Sequence, residues 1–125
     1  DPRLRAAVGR ILRRRGRVTL PEVAAEACWS PRQLEREFRR RVGVSPKTLA
    51  RIARFQNVLR LSGRSPERAW AEIAADAGYA DQAHLIRDFR QFSGTTPSRR
   101  EEAEGDLSRN FVSPERLDTL LGSPV

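Results

Sequence analysis

The segment YADQAHLIRDFRQFSGTTP, residues 79–97, contains the only histidine of the chain, His84, three residues after Asp81 and three before Arg87. An imidazole in this setting is suited to proton transfer, to metal binding or to hydrogen bonding with a larger partner. The first two roles need further residues, and the sequence offers one cysteine, Cys28, and no second histidine. Cys28 and His84 alone cannot form a structural zinc site and lack the oriented third member of a catalytic triad. We therefore expect no enzyme activity, no metal and no cofactor.

The charge of the chain favours a polyanionic partner. Its 24 lysines and arginines against 16 acids give a net charge of +8, and residues 101–125 hold six acids and two arginines, so residues 1–100 carry +12. A strongly basic body is typical of nucleic-acid binding and less often of binding to anionic membranes. No apolar stretch approaches the roughly 20 residues of a membrane span. We expect a nucleic-acid partner in a reducing cytoplasm, which a single cysteine fits.

Helix signals recur along the whole chain. Residues 2–15 have an amphipathic pattern that ends at Gly16, and no segment shows the strict alternation of a strand. The sequence therefore predicts an all-α protein of seven or eight helices. The later helix starts are predicted at the capping boxes Thr19–Glu22 and Ser30–Gln33, at Ser45–Pro46 for a long helix to about Leu61 before Gly63, and at Ser65–Pro66, Asp81, Thr96–Pro97 and Ser113–Pro114.

An internal repeat organises these helices. Residues 22–46 align with residues 72–97 at ten identical positions, with one extra residue, Ala80, in the second copy. Each copy consists of a short alanine-rich helix, a tight turn and a second helix, which is the helix-turn-helix pattern. Gly78 suits a left-handed residue at the turn of the second copy, where the first copy has Cys28, at a cost of about 1 kcal/mol if Cys28 is left-handed.

The second helix of each copy divides into an apolar and a polar face. Helical periodicity places Leu34 and Phe38 inward in the first copy, and Leu85, Phe89 and Phe92 inward in the second. Arginine pairs with guanine and glutamine with adenine, so the opposite faces are suited to reading base edges. Those faces hold Arg32, Arg36, Arg39 and Arg40 with Gln33 on the flank, and Ala83, Arg87, Arg90 and Gln91 with His84 on the flank.

The two copies, their spacing and their endings GVSP and GTTP resemble the DNA-binding domain of the AraC/XylS transcription regulators, over roughly residues 3–100. The resemblance implies two helix-turn-helix subdomains that enter successive major-groove segments of double-stranded DNA. It also implies RNA polymerase as a partner and a separate N-terminal sensing or dimerising domain, which fits a start without methionine. We expect a first subdomain at 1–45, a linker helix at 46–62, a second subdomain at 63–104 and an acidic extension with a short helix at 105–125.

The resemblance also assigns contacts. Ala83 offers only a contact with a thymine methyl group, and the helix starts are suited to gripping phosphates. Base contacts are expected from Arg32, Gln33, Arg36, Gln82, Ala83, His84 and Arg87, to which the outward faces add Arg40 and Gln91. Phosphate contacts are expected from Ser30, Arg39, Lys47, Asp81, Arg90, Thr95 and Thr96.

Other interpretations stay open at this point. The helical faces could bind an acidic protein, with only non-specific DNA affinity, and Arg36 and Arg87 could simply pair with neighbouring acids such as Glu37 and Asp88. RNA is a poorer candidate because the sequence lacks the interleaved aromatic platforms that bind single strands. Trp29 and Tyr79 are expected to pack in the core or in the turns instead of serving as stacking platforms. Cys28 is either an inert turn residue or a redox-sensing thiol.

Overall fold

The computed structural model describes residues 1–97, which form six helices and no strand. The all-α prediction is confirmed. The predicted helices after Thr96 and Ser113 and the acidic extension lie outside the described residues. The helices are α1 (Pro2–Arg13), α2 (Leu20–Glu26), α3 (Pro31–Arg41), α4 (Pro46–Arg64), α5 (Trp70–Asp76) and α6 (Gln82–Ser93).

Local side-chain caps start most of these helices as the sequence predicts. Thr19 Oγ1 accepts a hydrogen bond from the backbone N–H of Glu22, and the Glu22 carboxylate accepts one from the backbone N–H of Thr19. Ser45 Oγ accepts from the N–H of Thr48 at the start of α4. Each cap supplies an acceptor to an N–H group that has no partner inside the helix, which is worth about 1 kcal/mol.

Two boundaries differ from the prediction. Ser65–Pro66 was expected to start a helix but lies in a turn, and α5 begins only at Trp70, after Ala69, without a side-chain cap. α4 continues through Gly63 to Arg64 instead of ending near Leu61. The buried Ser62 donates its hydroxyl hydrogen to the Leu59 carbonyl, so packing holds the last turn in place despite the glycine. Pro66 then excludes further helix, because the residue before a proline avoids the helical region.

The chain divides into two compact units with separate cores. The first unit includes Asp1–Ala53, and the second begins at Arg54. In the first, side chains from α1, α2, α3 and the start of α4 surround the fully buried Phe38. In the second, the ring of Phe55 from α4 lies edge-to-face against Phe89 of α6 at 5.1 Å between centroids, and Trp70 contacts the same Phe89 ring at 5.8 Å. Each unit therefore buries the apolar face of its own second repeat helix.

The two turns of the repeat have the same backbone conformation. Residues 21–30 and 71–80 follow the same order of buried and exposed positions. The backbone N–H of Trp29 donates to the Ala24 carbonyl, and that of Tyr79 donates to Ala74, both at 2.9 Å. Cys28 has φ +57° and Gly78 φ +90°, so both turn residues are left-handed, and the expectation that Cys28 occupies a position suited to glycine is confirmed.

In each repeat, an arginine forms ion pairs with two carboxylates of the first helix, and the sequence alone did not indicate these pairs. Arg10 of α1 lies 3.1 Å from a carboxylate oxygen of Glu26 and 3.7 Å from Glu22. In the second unit, Arg68 takes this place although it comes from the turn before α5, and it bonds Glu72 and Asp76, the repeat equivalents of Glu22 and Glu26. The hydrogen bond to Asp76 raises the pKa of Arg68.

Candidate nucleic-acid interface

The first candidate surface is the exposed face of α3. On the other face of α3, Leu34 and Phe38 are buried in the core of the first unit, as periodicity predicts. Arg32, Gln33, Arg36, Arg39 and Arg40, all predicted to point outward, are exposed. Side-chain exposure reaches 59% at Arg36, 72% at Arg39 and 65% at Arg40. The arrangement presents a row of guanidinium groups on a helix whose other side is fixed.

Carboxylates of the same helix partly neutralise this row. Glu37 lies 3.3 Å from Arg40, 3.7 Å from Arg41 and 4.0 Å from Arg36, and Glu35 lies 3.6 Å from Arg39. The expected pairing of Arg36 with a neighbouring acid is therefore observed, at the longest of these distances. The Arg39–Glu35 pair joins two exposed side chains and is worth about 0–1 kcal/mol, whereas the Glu37 side chain is only 13% exposed. Arg39 can therefore exchange its carboxylate for a phosphate at little cost, while Arg40 and Arg41 share Glu37, which lies closer to the body of the unit.

Gln33 is partly engaged in capping α3. Its Oε1 accepts a hydrogen bond from the backbone N–H of Ser30 at 2.9 Å, and Ser30 Oγ accepts from the backbone N–H of Gln33 at 3.1 Å. Bidentate pairing with adenine needs both the oxygen and the amino group of a glutamine amide. The capping box occupies one of these groups, so Gln33 would have to share or release its cap to read a base.

The second candidate surface is the exposed face of α6. Asp81 Oδ1 accepts from the backbone N–H of His84 at 2.8 Å, so the prediction that Asp81 caps this helix is confirmed. Leu85 and Phe89 are fully buried, and Phe92 packs at the margin of their cluster. The exposed residues are Gln82, Ala83, Arg87, Arg90 and Gln91, while His84 is half-buried.

His84 packs against a buried aromatic residue. The rings of His84 and Tyr79 are nearly perpendicular, with an angle of 88° and centroids 5.0 Å apart. The Tyr79 hydroxyl donates to Asp88 Oδ2 at 3.2 Å, and Asp88 is only 2% exposed. The sequence allowed Asp88 to be a surface partner of Arg87, but the Asp88 side chain lies on the buried face of α6, inside the second unit. Trp29 and Tyr79 are both buried in the cores of their units, which confirms the expected packing.

The remaining candidates lie around the helix starts. Lys47 is exposed in the first turn of α4, and Thr95 and Thr96 are half-buried after α6. The side-chain oxygens of Ser30 and Asp81 already accept hydrogen bonds as caps. Contacts of these residues with phosphate stay predictions.

Two other possibilities, a metal site and a membrane span, find no support in the part of the chain that the structure describes. Within residues 1–97, no cluster of three or more histidine, cysteine or acidic side chains could hold a metal ion, and no helix could cross a membrane. Cys28 is exposed in the first unit, and His84 belongs to the second.

Comparisons with known proteins bear on these two surfaces. A family model described as a helix-turn-helix domain matches residues 23–102. Among solved structures, the chain is similar to the crystal structure of a DNA-binding transcriptional dual regulator from Escherichia coli K-12. The TM-score is 0.68 at 25% sequence identity, over 85% of this chain and 96% of the other. The search of curated protein sequences finds no match.

Proposed function

The chain belongs to the AraC-type helix-turn-helix family of DNA-binding transcription regulators, and from that premise we propose that it binds specific double-stranded DNA by inserting α3 and α6 into adjacent major-groove segments. The observation that carries the proposal is the matched construction of the two helices. Each buries leucine and phenylalanine on one side and exposes arginine and glutamine on the other. A major groove about 12 Å wide accepts a helix of this kind.

We assign the proposed base contacts by residue chemistry. Arg32, Arg36 and Arg87 have the bidentate donor geometry that recognises guanine, and Gln82 can recognise adenine. Ala83 is suited to a thymine methyl group. The complete set of proposed base-contacting residues is Arg32, Gln33, Arg36, Arg40, Gln82, Ala83, His84, Arg87 and Gln91.

We assign the proposed phosphate contacts to residues around the two helices. Arg39, Lys47 and Arg90 supply charge, while Ser30, Asp81, Thr95 and Thr96 mark helix starts and turns whose backbone N–H groups suit an anion. These contacts would set position and affinity without carrying sequence information. Family membership further suggests RNA polymerase and a separate N-terminal sensing or dimerising domain as partners, with the bacterial nucleoid as the place of action.

The test compares two arginine variants on DNA selected from a random pool. Arg87→Ala should weaken binding to the selected sequence by about 1–3 kcal/mol and relax the preference at one or two base pairs. Arg3→Ala removes the same charge from α1, outside the proposed reading faces, and should leave the preference unchanged. Fluorescence anisotropy with selected and scrambled duplexes at about 0.15 M salt measures both effects.

Two outcomes would contradict the proposal. If Arg87→Ala weakens binding to selected and scrambled DNA equally, Arg87 reads no base. If the unmodified chain yields no enriched sequence at all, the exposed arginines serve another partner, and a protein-interaction module with non-specific DNA affinity becomes the better explanation.

A further inference from the structure

Contacts inside the second unit hold Tyr79 in place. Its side chain is 5% exposed, and its hydroxyl donates to the buried Asp88. The guanidinium carbon of Arg54 lies 5.4 Å from the centre of its ring. The ring in turn contacts the imidazole of His84 at 5.0 Å in a perpendicular arrangement. The Tyr79 ring is therefore held in a fixed position beside the half-exposed imidazole of His84.

Contact with the fixed Tyr79 ring restricts the orientation of the His84 side chain. The imidazole lies in the first turn of α6, where side-chain rotation would otherwise let the ring adopt several directions. An edge-to-face aromatic contact favours one arrangement by about two- to tenfold. A hydrogen bond from a side chain to a base edge requires a defined direction, so a ring held in advance loses less freedom on binding.

The first copy fixes the equivalent position in a different way. Gln33, the counterpart of His84, is tied to Ser30 by the capping box. Trp29 stands in place of Tyr79, and Glu37, in place of Asp88, pairs with exposed arginines instead of a buried hydroxyl. The Tyr79–Asp88 hydrogen bond is thus a feature of the second copy, beside the histidine.

We propose that Tyr79, anchored by Asp88, is a positioning residue that holds the His84 ring in the orientation with which it contacts a base pair. This inference rests on the proposed function, because it requires His84 to read DNA. Tyr79 itself is buried and touches no DNA. Its effect on recognition acts through His84 alone.

The experiment measures base preference at each position of the selected site for six proteins. They are the unmodified chain, His84→Ala, Tyr79→Leu, Tyr79→Phe, the Tyr79→Leu/His84→Ala double variant and Trp70→Leu. Tyr79→Leu should lower discrimination about two- to tenfold, only at the base pair that His84→Ala relaxes. In the His84→Ala background, the same change should have no further effect on preference, as expected for two residues that act as a unit.

Trp70→Leu is the matched control for stability. Trp70 also makes a perpendicular aromatic contact in the second unit, with Phe89, but does not belong to the His84 contact. This variant should lower the unfolding temperature while leaving base preference unchanged. Tyr79→Phe, which keeps the ring and removes the anchor to Asp88, should show a smaller loss of discrimination at the same base pair.

The outcomes separate this inference from the proposed function. If His84→Ala relaxes one base pair but Tyr79→Leu, like Trp70→Leu, lowers stability without relaxing that base pair, the inference is wrong and base reading by His84 stands. If His84→Ala changes nothing while Arg87→Ala relaxes its own base pair, the inference is also wrong. If neither His84→Ala nor Arg87→Ala alters preference, the proposed function itself fails.

Discussion

Replacing Cys28 with glycine should stabilise the first unit. Cys28 has φ +57° and an exposed side chain, so the substitution removes a left-handed strain of about 1–2 kcal/mol and loses little buried surface. Glycine increases the freedom of the unfolded chain, which offsets about 0.4–1 kcal/mol. The expected net gain is therefore about 0–1.6 kcal/mol. The backbone hydrogen bond from residue 28 to the Ala25 carbonyl is kept.

The second copy provides the reciprocal test. Gly78 occupies the equivalent place at φ +90°, so Gly78→Ala should destabilise the second unit by a similar amount. Each unit contains one tryptophan, Trp29 in the first and Trp70 in the second, so fluorescence in a Trp70→Phe or Trp29→Phe background reports each unit separately.

Thermal and urea unfolding measure both changes. In thermal unfolding, each kcal/mol of stability shifts the unfolding temperature by about 4–8 °C for a unit of this size. Shifts of opposite sign are expected. A loss of stability on Cys28→Gly, or shifts in the same direction for both variants, would refute the assignment of strain to this turn.

Further predictions concern the helix ends and the proposed interface. Neither Gly63 nor Gly43 has an atom within 4 Å of an added Cβ, but Gly63 is helical and Gly43 has φ +90°. Gly63→Ala should therefore raise the free energy of unfolding by up to about 1 kcal/mol, and Gly43→Ala should lower it by a similar amount. Changes of the same sign in both variants would contradict this. Asp81→Ala should cost about 0.5–2 kcal/mol in urea unfolding, whereas Asp81→Asn should retain most of the cap; an equal loss for both would argue against capping. Arg39→Ala should reduce the slope of log affinity against log salt by about 0.9 and leave base preference intact, and a changed preference would place Arg39 on a base. A double variant of Arg39 and Arg87 should show both effects independently.

The parts of the fold that depend on neighbouring residues could be predicted from sequence. The capping boxes at Thr19 and Ser30 and the cap at Asp81 join residues three apart, so their spacing alone indicates them. The burial of Leu85 and Phe89 follows from helical periodicity. The exposed faces of α3 and α6 follow from the same periodicity, which is why the outward-facing candidates are exposed as expected.

Boundaries were less predictable because similar local signals compete with packing. Ser65–Pro66 has the same composition as Ser45–Pro46, yet only the latter starts a helix. At Ser65, the backbone N–H still bonds the Leu61 carbonyl of α4, so this residue closes one helix instead of opening the next. The glycine at position 63 does not end α4, because the preceding Ser62 is buried and bonds the Leu59 carbonyl.

The sequence by itself determined that the chain is helical and that it contains the helix-turn-helix motif twice. It also determined which faces of α3 and α6 are polar. These properties arise from short-range spacing and from duplication, both of which a linear sequence records. Only the tertiary structure decided that Asp88 is buried under Tyr79 and that Arg10 and Arg68 clamp equivalent carboxylates from different places in the chain. It also decided that Gln33 and His84, at the same repeat position, have different neighbours. These contacts join residues brought together by folding, and their partners depend on which side chains share a core.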